Sequence, residues 1–158
     1  MEASFSQGGR AMANTEIVPV GFDELSLVVD LFNEVFRPGR EQKFFERRFQ
    51  GRLNPLLLIA QISHKPAGFA AGYELKPGTF YCWLVGVRAS CRRAGIASQL
   101  MEAIAAWAID NEYHTIRFEC YNRHRPMLRL AISQGFDVVG VRMDPDAGEN
   151  LIVLERKL

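Results

Sequence analysis

The chain has 158 residues, 48% of them hydrophobic and 23% charged, which is enough for one domain with a sizeable core and short of two. Its 19 lysines and arginines barely exceed its 18 aspartates and glutamates, so no long-range field draws nucleic acid or an anionic membrane, and no apolar run approaches the ~20 residues of a membrane helix. Cys82, Cys91 and Cys120 are odd in number and widely spaced, which argues against a disulfide framework or a zinc site and fits a reducing cytoplasm.

Residues 1–13, MEASFSQGGRAMA, are small and polar and read as a disordered lead or an expression remnant, with Met12 as good a start as Met1. They lack the charged-then-apolar pattern of a secretion signal. Residues 14–158 read as one domain without repeat or linker. EIVPV is a short strand, and Asp23 is placed to cap a helix whose Leu25, Val28, Val29, Phe32 and Phe36 recur at helical spacing before Pro38-Gly39. REQKFFERRFQG is a second amphipathic helix, with Phe45 and Phe49 on one face and Gly51 as its stop. LLLIAQI and AGFAAGYEL are strands around the turn SHKP, and TFYCWLVGV follows Lys76-Pro77-Gly78 to complete an antiparallel meander.

Ile96, Leu100, Ile104 and Trp107 then form a helical stripe through Asp110, and TIRFECY is again a strand. A strand, helix, strand unit makes 79–87 and 115–121 parallel neighbours with a right-handed crossover. Pro126 begins one more helix, with Met127, Leu130 and Ala131 inward and Gly135 as its stop. DVVGVRM and NLIVLER close the chain as a hairpin across residues 144–148. The order βααβββαβαββ describes one mixed sheet with helices on both faces.

The chemistry concentrates in VGVRASCRRAGIASQL, residues 85–100. A helix entered through Arg92-Arg93-Ala94-Gly95-Ile96-Ala97-Ser98 exposes unpaired backbone N–H groups at the positive end of its dipole. Gly95 and Ala97 let a phosphate approach the backbone, while Arg92 and Arg93 supply charge at the rim. An ordinary strand-to-helix turn with two solvated arginines has the same spacing. There is no GxxxxGK[ST], and no GxGxxG followed by a ribose-binding acid, so simple nucleoside triphosphate and NAD sites are disfavoured.

Val87, Arg92, Gly95 and Ala97 match the Val-x4-[Arg/Gln]-x2-Gly-x-[Gly/Ala] signature of the GNAT superfamily of acyl-CoA N-acyltransferases. The element order resembles that superfamily from about Glu16 to Leu158, and NRHRPMLRLAISQGF is similar to its Asn, helix, Gly-Phe segment. The resemblance implies a GNAT-like α/β (α+β) fold: a central mixed, mostly antiparallel sheet with one parallel strand pair splayed around CoA. It also implies that the loop amides bind the pyrophosphate of coenzyme A, that the pantetheine arm pairs with backbone near Val85 and Val87, and that Asn122 bonds to the arm or to nearby backbone. A simple turn or cap role for Asn122 is equally open. Gly86 fits a bulge, a close ligand approach or a packed glycine.

Acyl transfer to an amine requires an alkyl ammonium with a pKa of about 10.4 to lose a proton, and requires a donor to the developing oxyanion. The resemblance offers the Val87 amide as that donor. The tyrosine acid of many GNAT members is replaced here by Ala131, and Tyr81 stands where the histone-acetylating branch carries a glutamate base. Glu74, near the end of the preceding strand, is placed to reach the cleft mouth and act through water, and has a solvated strand-end reading beside it. Glu74 and Tyr81 are therefore the catalytic candidates, and Glu119 reads as a sheet-face polar residue held by a neighbour. His64, His114 and His124 read as exposed, Trp83 and Trp107 as core, and no metal site is assigned. Arg123, His124, Arg125 and Arg129 have the charge to touch CoA phosphates or RNA, with a solvated helix end as the default. Asp144, Asp146 and Glu149 in the last hairpin offer a surface for a cationic amine.

The sequence thus points to an N-acyltransferase moving acetyl from acetyl-CoA to a primary amine of a small molecule or peptide in the cytoplasm, without nucleic acid or membrane as partner. A homodimer stays open. The alternative is a CoA-responsive binding domain with little or no catalysis, which the alanine at position 131 favours.

Overall fold

The computed structural model describes residues 15–145 and 147–158, so the expected disordered lead over 1–13 lies outside the described residues. The elements follow the expected order: β1 (Thr15–Val20), α1 (Leu25–Val35), α2 (Gln42–Phe49), β2 (Leu56–Ile62), β3 (Lys65–Lys76), β4 (Thr79–Val87), α3 (Ile96–Asp110), β5 (Thr115–Tyr121), α4 (Arg125–Ser133), β6 (Asp137–Asp144) and β7 (Glu149–Lys157). Short 3-10 turns occupy Phe22–Glu24 and Ala89–Cys91. The first of these corrects the expected cap. Asp23 lies inside the turn, Glu24 precedes α1 without a side-chain capping bond, and the Asp23 carboxylate folds back over Gly21.

The seven strands form one sheet in the order β1-β2-β3-β4-β5-β7-β6. β4 and β5 pair in parallel, as the crossover through α3 requires, and every other neighbour is antiparallel. The β2–β3 turn is narrower than SHKP suggested. Ile62 already pairs with Lys65, and the two connecting residues Ser63 and His64 both have positive φ, which matches the twist of a tight hairpin.

Near-continuous apolar runs in β2, β3 and β4 follow from helices covering both faces. On one face Leu56, Leu58, Ala70, Phe80, Cys82 and Val85 meet Ile96, Leu100, Met101 and Ile104 of α3, with Ala131 of α4 nearby in the same core. On the other, Leu57, Ile59, Phe69, Tyr73, Tyr81 and Trp83 meet Val28 and Phe32 of α1 and Phe45 and Phe49 of α2. Half of the buried residues of the second core are aromatic: Phe45 and Phe49 pack on Trp83 at 5.7 and 5.6 Å between ring centroids, and Tyr73 packs on Tyr81 at 5.4 Å. Among the described residues no helix is long and apolar enough to cross a membrane.

Gly86 belongs to this aromatic core. A Cβ there would lie 2.5 Å from the Phe69 ring and 3.0 Å from that of Phe36, so of the three readings open for this glycine the packed one holds. Gly86→Ala should therefore cost ~1–3 kcal/mol in urea unfolding through overpacking. Gly140→Ala, where a Cβ meets nothing within 4 Å, should stay within ~0.5 kcal/mol of the parent. Equal effects at the two positions would contradict this packing.

Burial pushes the Cys82 thiol up to about 12 and the Cys120 thiol to about 11, from an ordinary value of 9.0. Because the folded-state values lie above the unfolded one, their contribution to stability is complete below about pH 9 and is lost as pH rises towards these values. A thiol-alkylating reagent at pH 8.5 should label only the partly exposed Cys91 in the native protein, with Cys82 and Cys120 reacting after unfolding. Native labelling of Cys82 at the rate of Cys91 would contradict the burial.

Candidate active site

β4 and β5 pair over only four rungs, from Thr79–Thr115 to Cys82–Phe118. Beyond them β4 continues to Val87 beside β3, and β5 continues to Tyr121 beside β7. The register of β4 against β3 shows why the strands part. Gly72 pairs with Cys82 and Ala71 with Leu84, which leaves Trp83 as an extra, bulged residue. A bulge raises the local twist and bends its strand, and Trp83 and Leu84 consequently both pack on the aromatic face. The edge of β4 from Trp83 to Val87 and that of β5 from Glu119 to Tyr121 thus face each other without a shared ladder.

At the end of β4 the chain turns tightly into α3. Cys91 N–H donates to Arg88 O at 2.8 Å, Arg93 takes φ +66° and Gly95 takes φ +76°, a left-handed position that suits glycine. Gln99 N–H donates to Gly95 O at 3.0 Å, which leaves the amides of Ile96, Ala97 and Ser98 ahead of the helical ladder. No side chain caps this end. Arg92 and Arg93 are exposed beside it, and Arg92 Nε donates to Val87 O at 3.3 Å, tying the loop to the strand end. Ile96 is buried in the α3 core and anchors the first turn, while Ser98 Oγ accepts from Gln134 Nε2 at 2.8 Å and links α3 to the end of α4.

On the aromatic face of the divergence lies a polar cluster. Tyr81 donates to Glu119 Oε1 at 3.2 Å, and Arg142 donates to the same oxygen through Nε at 3.1 Å and a terminal nitrogen at 2.8 Å. The Glu119 side chain is only 8% exposed. Burial, then the charge of Glu119 and the neighbouring Tyr73 phenol, hold the Tyr81 phenol above the ordinary tyrosine range, so it serves as a donor and not as a base. Glu119 is thus held by neighbours, as expected, but it is also the first β5 residue past the last shared rung, a placement that sequence reasoning did not weigh. Arg142 was missed altogether. It lies two residues beyond Gly140, the partner of Val153, which in turn pairs with Glu119, and only this register reveals the contact.

The structure does not bring Glu74 to this cluster. Its residue pairs with Phe80 near the start of β4, and its carboxylate accepts from Tyr113 at 2.8 Å, with Asn54 Nδ2 donating to the same phenol at 2.6 Å. The expectation that Glu74 reaches the cleft mouth fails because the strands diverge at the opposite end of β4. The acidic hairpin is also occupied: Tyr121 donates to Asp144, and Glu149 pairs with Arg123 at 2.6 Å. Asp146 lies outside the described residues. The Asp144 contact, then burial, pushes the Tyr121 phenol up to about 12.

Ala131 is fully buried in the α3 core, and Asn122 is exposed just after β5, its carbonyl accepting from Arg125 Nε at 2.7 Å. His64 and His114 are exposed as expected. His124 is half-buried against Tyr121, their rings 5.7 Å apart, and burial followed by the Arg123 charge lowers its pKa.

Comparison with known proteins agrees with this geometry. The Acetyltransferase (GNAT) family matches residues 25–136. Among curated proteins, no sequence relative reaches significance. Solved structures similar in fold include the ribosomal-protein-S18-alanine N-acetyltransferase of Escherichia coli, at 17% identity and TM-score 0.79, covering 90% of this chain and 93% of that one. Ard1 of Thermoplasma volcanium matches at 16% identity and TM-score 0.77, covering 92% of this chain and 98% of that one. A GNAT family acetyltransferase of Elizabethkingia anophelis with acetyl-CoA bound matches at 17% identity and TM-score 0.78, covering 92% and 99%. With the family matched across most of its length and the splayed parallel pair in place, this chain belongs to the GNAT family of acetyltransferases.

Proposed function

We propose that the chain is an N-acetyltransferase that uses acetyl-CoA to acetylate a primary amine of a small molecule or peptide. The observation that carries this reading is the coincidence of two features at one end of β4: a strand edge without a partner and an uncapped helix start. Bound acetyl-CoA supplies an acetyl group activated as a thioester. The edge around Val85 and Val87 offers backbone groups to the pantetheine arm, with Asn122 across the gap at the end of β5. Amides from Ala94 through Ser98, including Gly95, Ile96 and Ala97, receive the pyrophosphate, and Arg92 and Arg93 add positive charge at its rim.

The acceptor ammonium must shed a proton before it attacks. Glu119 is the carboxylate placed for this: Oε1 is saturated by Tyr81 and Arg142, whereas Oε2 carries none of those bonds. Tyr81 and Arg142 then act as positioning residues that fix the carboxylate. A departing thiolate with a cysteine-like pKa of about 8.5 is tolerable without a dedicated acid. A second reading, a CoA-binding domain without turnover, draws on the buried alanine at position 131, where many family members carry a tyrosine.

Two experiments test these assignments. Gly95→Glu places a carboxylate and a strained backbone at the phosphate seat and should weaken CoA binding about 100-fold by calorimetry while the circular dichroism spectrum stays native. Undiminished affinity would remove the loop from the site. In an amine panel read by thiol release, Glu119→Gln should lower kcat by at least ~100-fold with CoA affinity retained, while Tyr81→Phe costs less than ~100-fold. Glu74→Gln should leave kcat near the parent value. A larger loss for Glu74→Gln than for Glu119→Gln would contradict the assignment, and CoA binding without turnover on any amine would favour the second reading.

A further inference from the structure

Asp144 and Glu149 of the last hairpin are paired, yet the opposite side of the aromatic face carries cations with no carboxylate counterpart among the described residues. Residues 40–52, REQKFFERRFQGR, hold five cationic side chains against two acidic ones, in a chain whose total is nearly balanced. Elsewhere five arginines find carboxylates, Arg88 with Glu34, Arg117 with Glu155, Arg123 with Glu149, Arg142 with Glu119 and Arg156 with Glu102, while Arg92 and Arg93 at the α3 start and the dispersed Arg37, Arg125 and Arg129 have none among the described residues. Among the described residues none of Arg40, Lys43, Arg47, Arg48 and Arg52 has such a partner. With Phe44 and a single acid, Glu41, they line a surface cavity of about 720 Å³, a size in the range of small-molecule sites.

Aromatic rings orient these cations. Arg40, Phe44 and Arg48 lie on one stripe of α2 and its approach, spaced four residues apart. The Arg40 guanidinium sits 4.8 Å from the Phe44 ring centre, and that of Arg48 lies 6.0 Å from Phe44 and 4.4 Å from Trp83. Arg52 lies 4.7 Å from the Tyr73 ring. A guanidinium stacked on a ring has its planar fork held in place and its N–H donors directed past the ring edge, the arrangement that grips a carboxylate or phosphate. Trp83 is the bulged residue at the divergence, and Tyr81 projects from the same face two residues earlier, on the order of 7 Å along the strand. Arg48 is also close enough to Tyr81 for its charge to oppose the rise of that phenol.

We propose that the acceptor is a small primary amine carrying an oxyanion, a carboxylate or a phosphate, which docks on Arg48 while its amino group meets Glu119; this rests on the acetyltransferase reading above. Arg48 packs over Trp83 and Glu119 accepts from Tyr81, two rings that project from the same face of β4 two residues apart, which puts the anion site and the proton-accepting carboxylate on one side of the sheet. Arg40 and Arg52 flank the anion, and Lys43 and Arg47 extend the positive field at the cavity mouth.

The test uses amines in matched pairs, β-alanine against its amide and O-phosphoethanolamine against ethanolamine. Binding is followed by the fluorescence of Trp83 in a Trp107→Phe background, which needs no turnover, and kcat/KM by thiol release. The anionic member of at least one pair should bind at least about tenfold more tightly and be acetylated with a correspondingly higher kcat/KM. Which pair responds separates carboxylate from phosphate. Arg48→Met keeps an unbranched stem over Trp83 and should bring the anionic amine down to its neutral partner, chiefly through KM. Arg48→Lys, which keeps the charge but loses the fork, should restore part of the preference. Equal binding of both members in the parent protein, or equal weakening of both by Arg48→Met, would overturn the proposal. So would tight binding of a single-stranded RNA oligonucleotide in place of both small anions. Binding preference without any turnover would uphold the anion site and refute the acetyltransferase reading, so the two failures are distinguishable.

Discussion

The bulge at Trp83 is the constraint on which the rest of the molecule depends. One residue too many between Cys82 and Leu84 changes the direction of β4, and the parallel ladder to β5 ends at that rung. In a sheet buried on both sides, unpaired strand edges are costly unless something else supplies their hydrogen bonds. The divergence therefore creates a demand for an extended ligand with its own amide groups. In the proposed reading the same strand leads that ligand's charged end to the start of α3, which no side chain caps. Ile96 locks the helix start into the core beneath, so the seat is rigid although its rim is exposed.

The two faces of the sheet divide the labour. The α3 face is aliphatic around Leu100, Ile104 and Leu154 and fixes the crossover that makes β4 and β5 parallel. The α1–α2 face is built from rings, which give large, stiff surfaces and also tolerate cations against them. Tyr81, Glu119 and Arg142 lie at one side of that aromatic floor, and Arg48 and Arg52 at the other. Glu119 is paired with Arg142 on its side of the floor, whereas Arg48 and Arg52 have no carboxylate partner on theirs among the described residues, a distribution suited to an acceptor that carries an anion.

The fold was largely legible because its signals are local: the helical stripes of Ile96, Leu100 and Ile104 and of Phe45 and Phe49, and the strand runs between turn residues. The glycine loop was legible for the same reason, since Arg92 to Ser98 lie in one short stretch. What escaped depended on register. Glu74 and Glu119 look alike as strand acids, and only the end of the four-rung ladder separates the one at the divergence from the one bound to Tyr113. Arg142 reaches Glu119 across β7, a neighbour relation set by the order β5-β7-β6 that alternation of residues does not encode. The basic character of 40–52 was visible as composition, but its orientation over Trp83 and Tyr73 required the packing of α2 on the sheet. Asp23 misled because it has a good capping side chain one residue before the cap position Glu24, inside a 3-10 turn.

The central claim is that the partnerless edge of β4 and the start of α3 form one ligand-binding surface. Peptide-resolved hydrogen exchange with and without coenzyme A measures it directly. The account expects slowed exchange in 83–87 and 93–98 together, with β6 unchanged. Protection confined to other segments, or none at saturating coenzyme A, would contradict it.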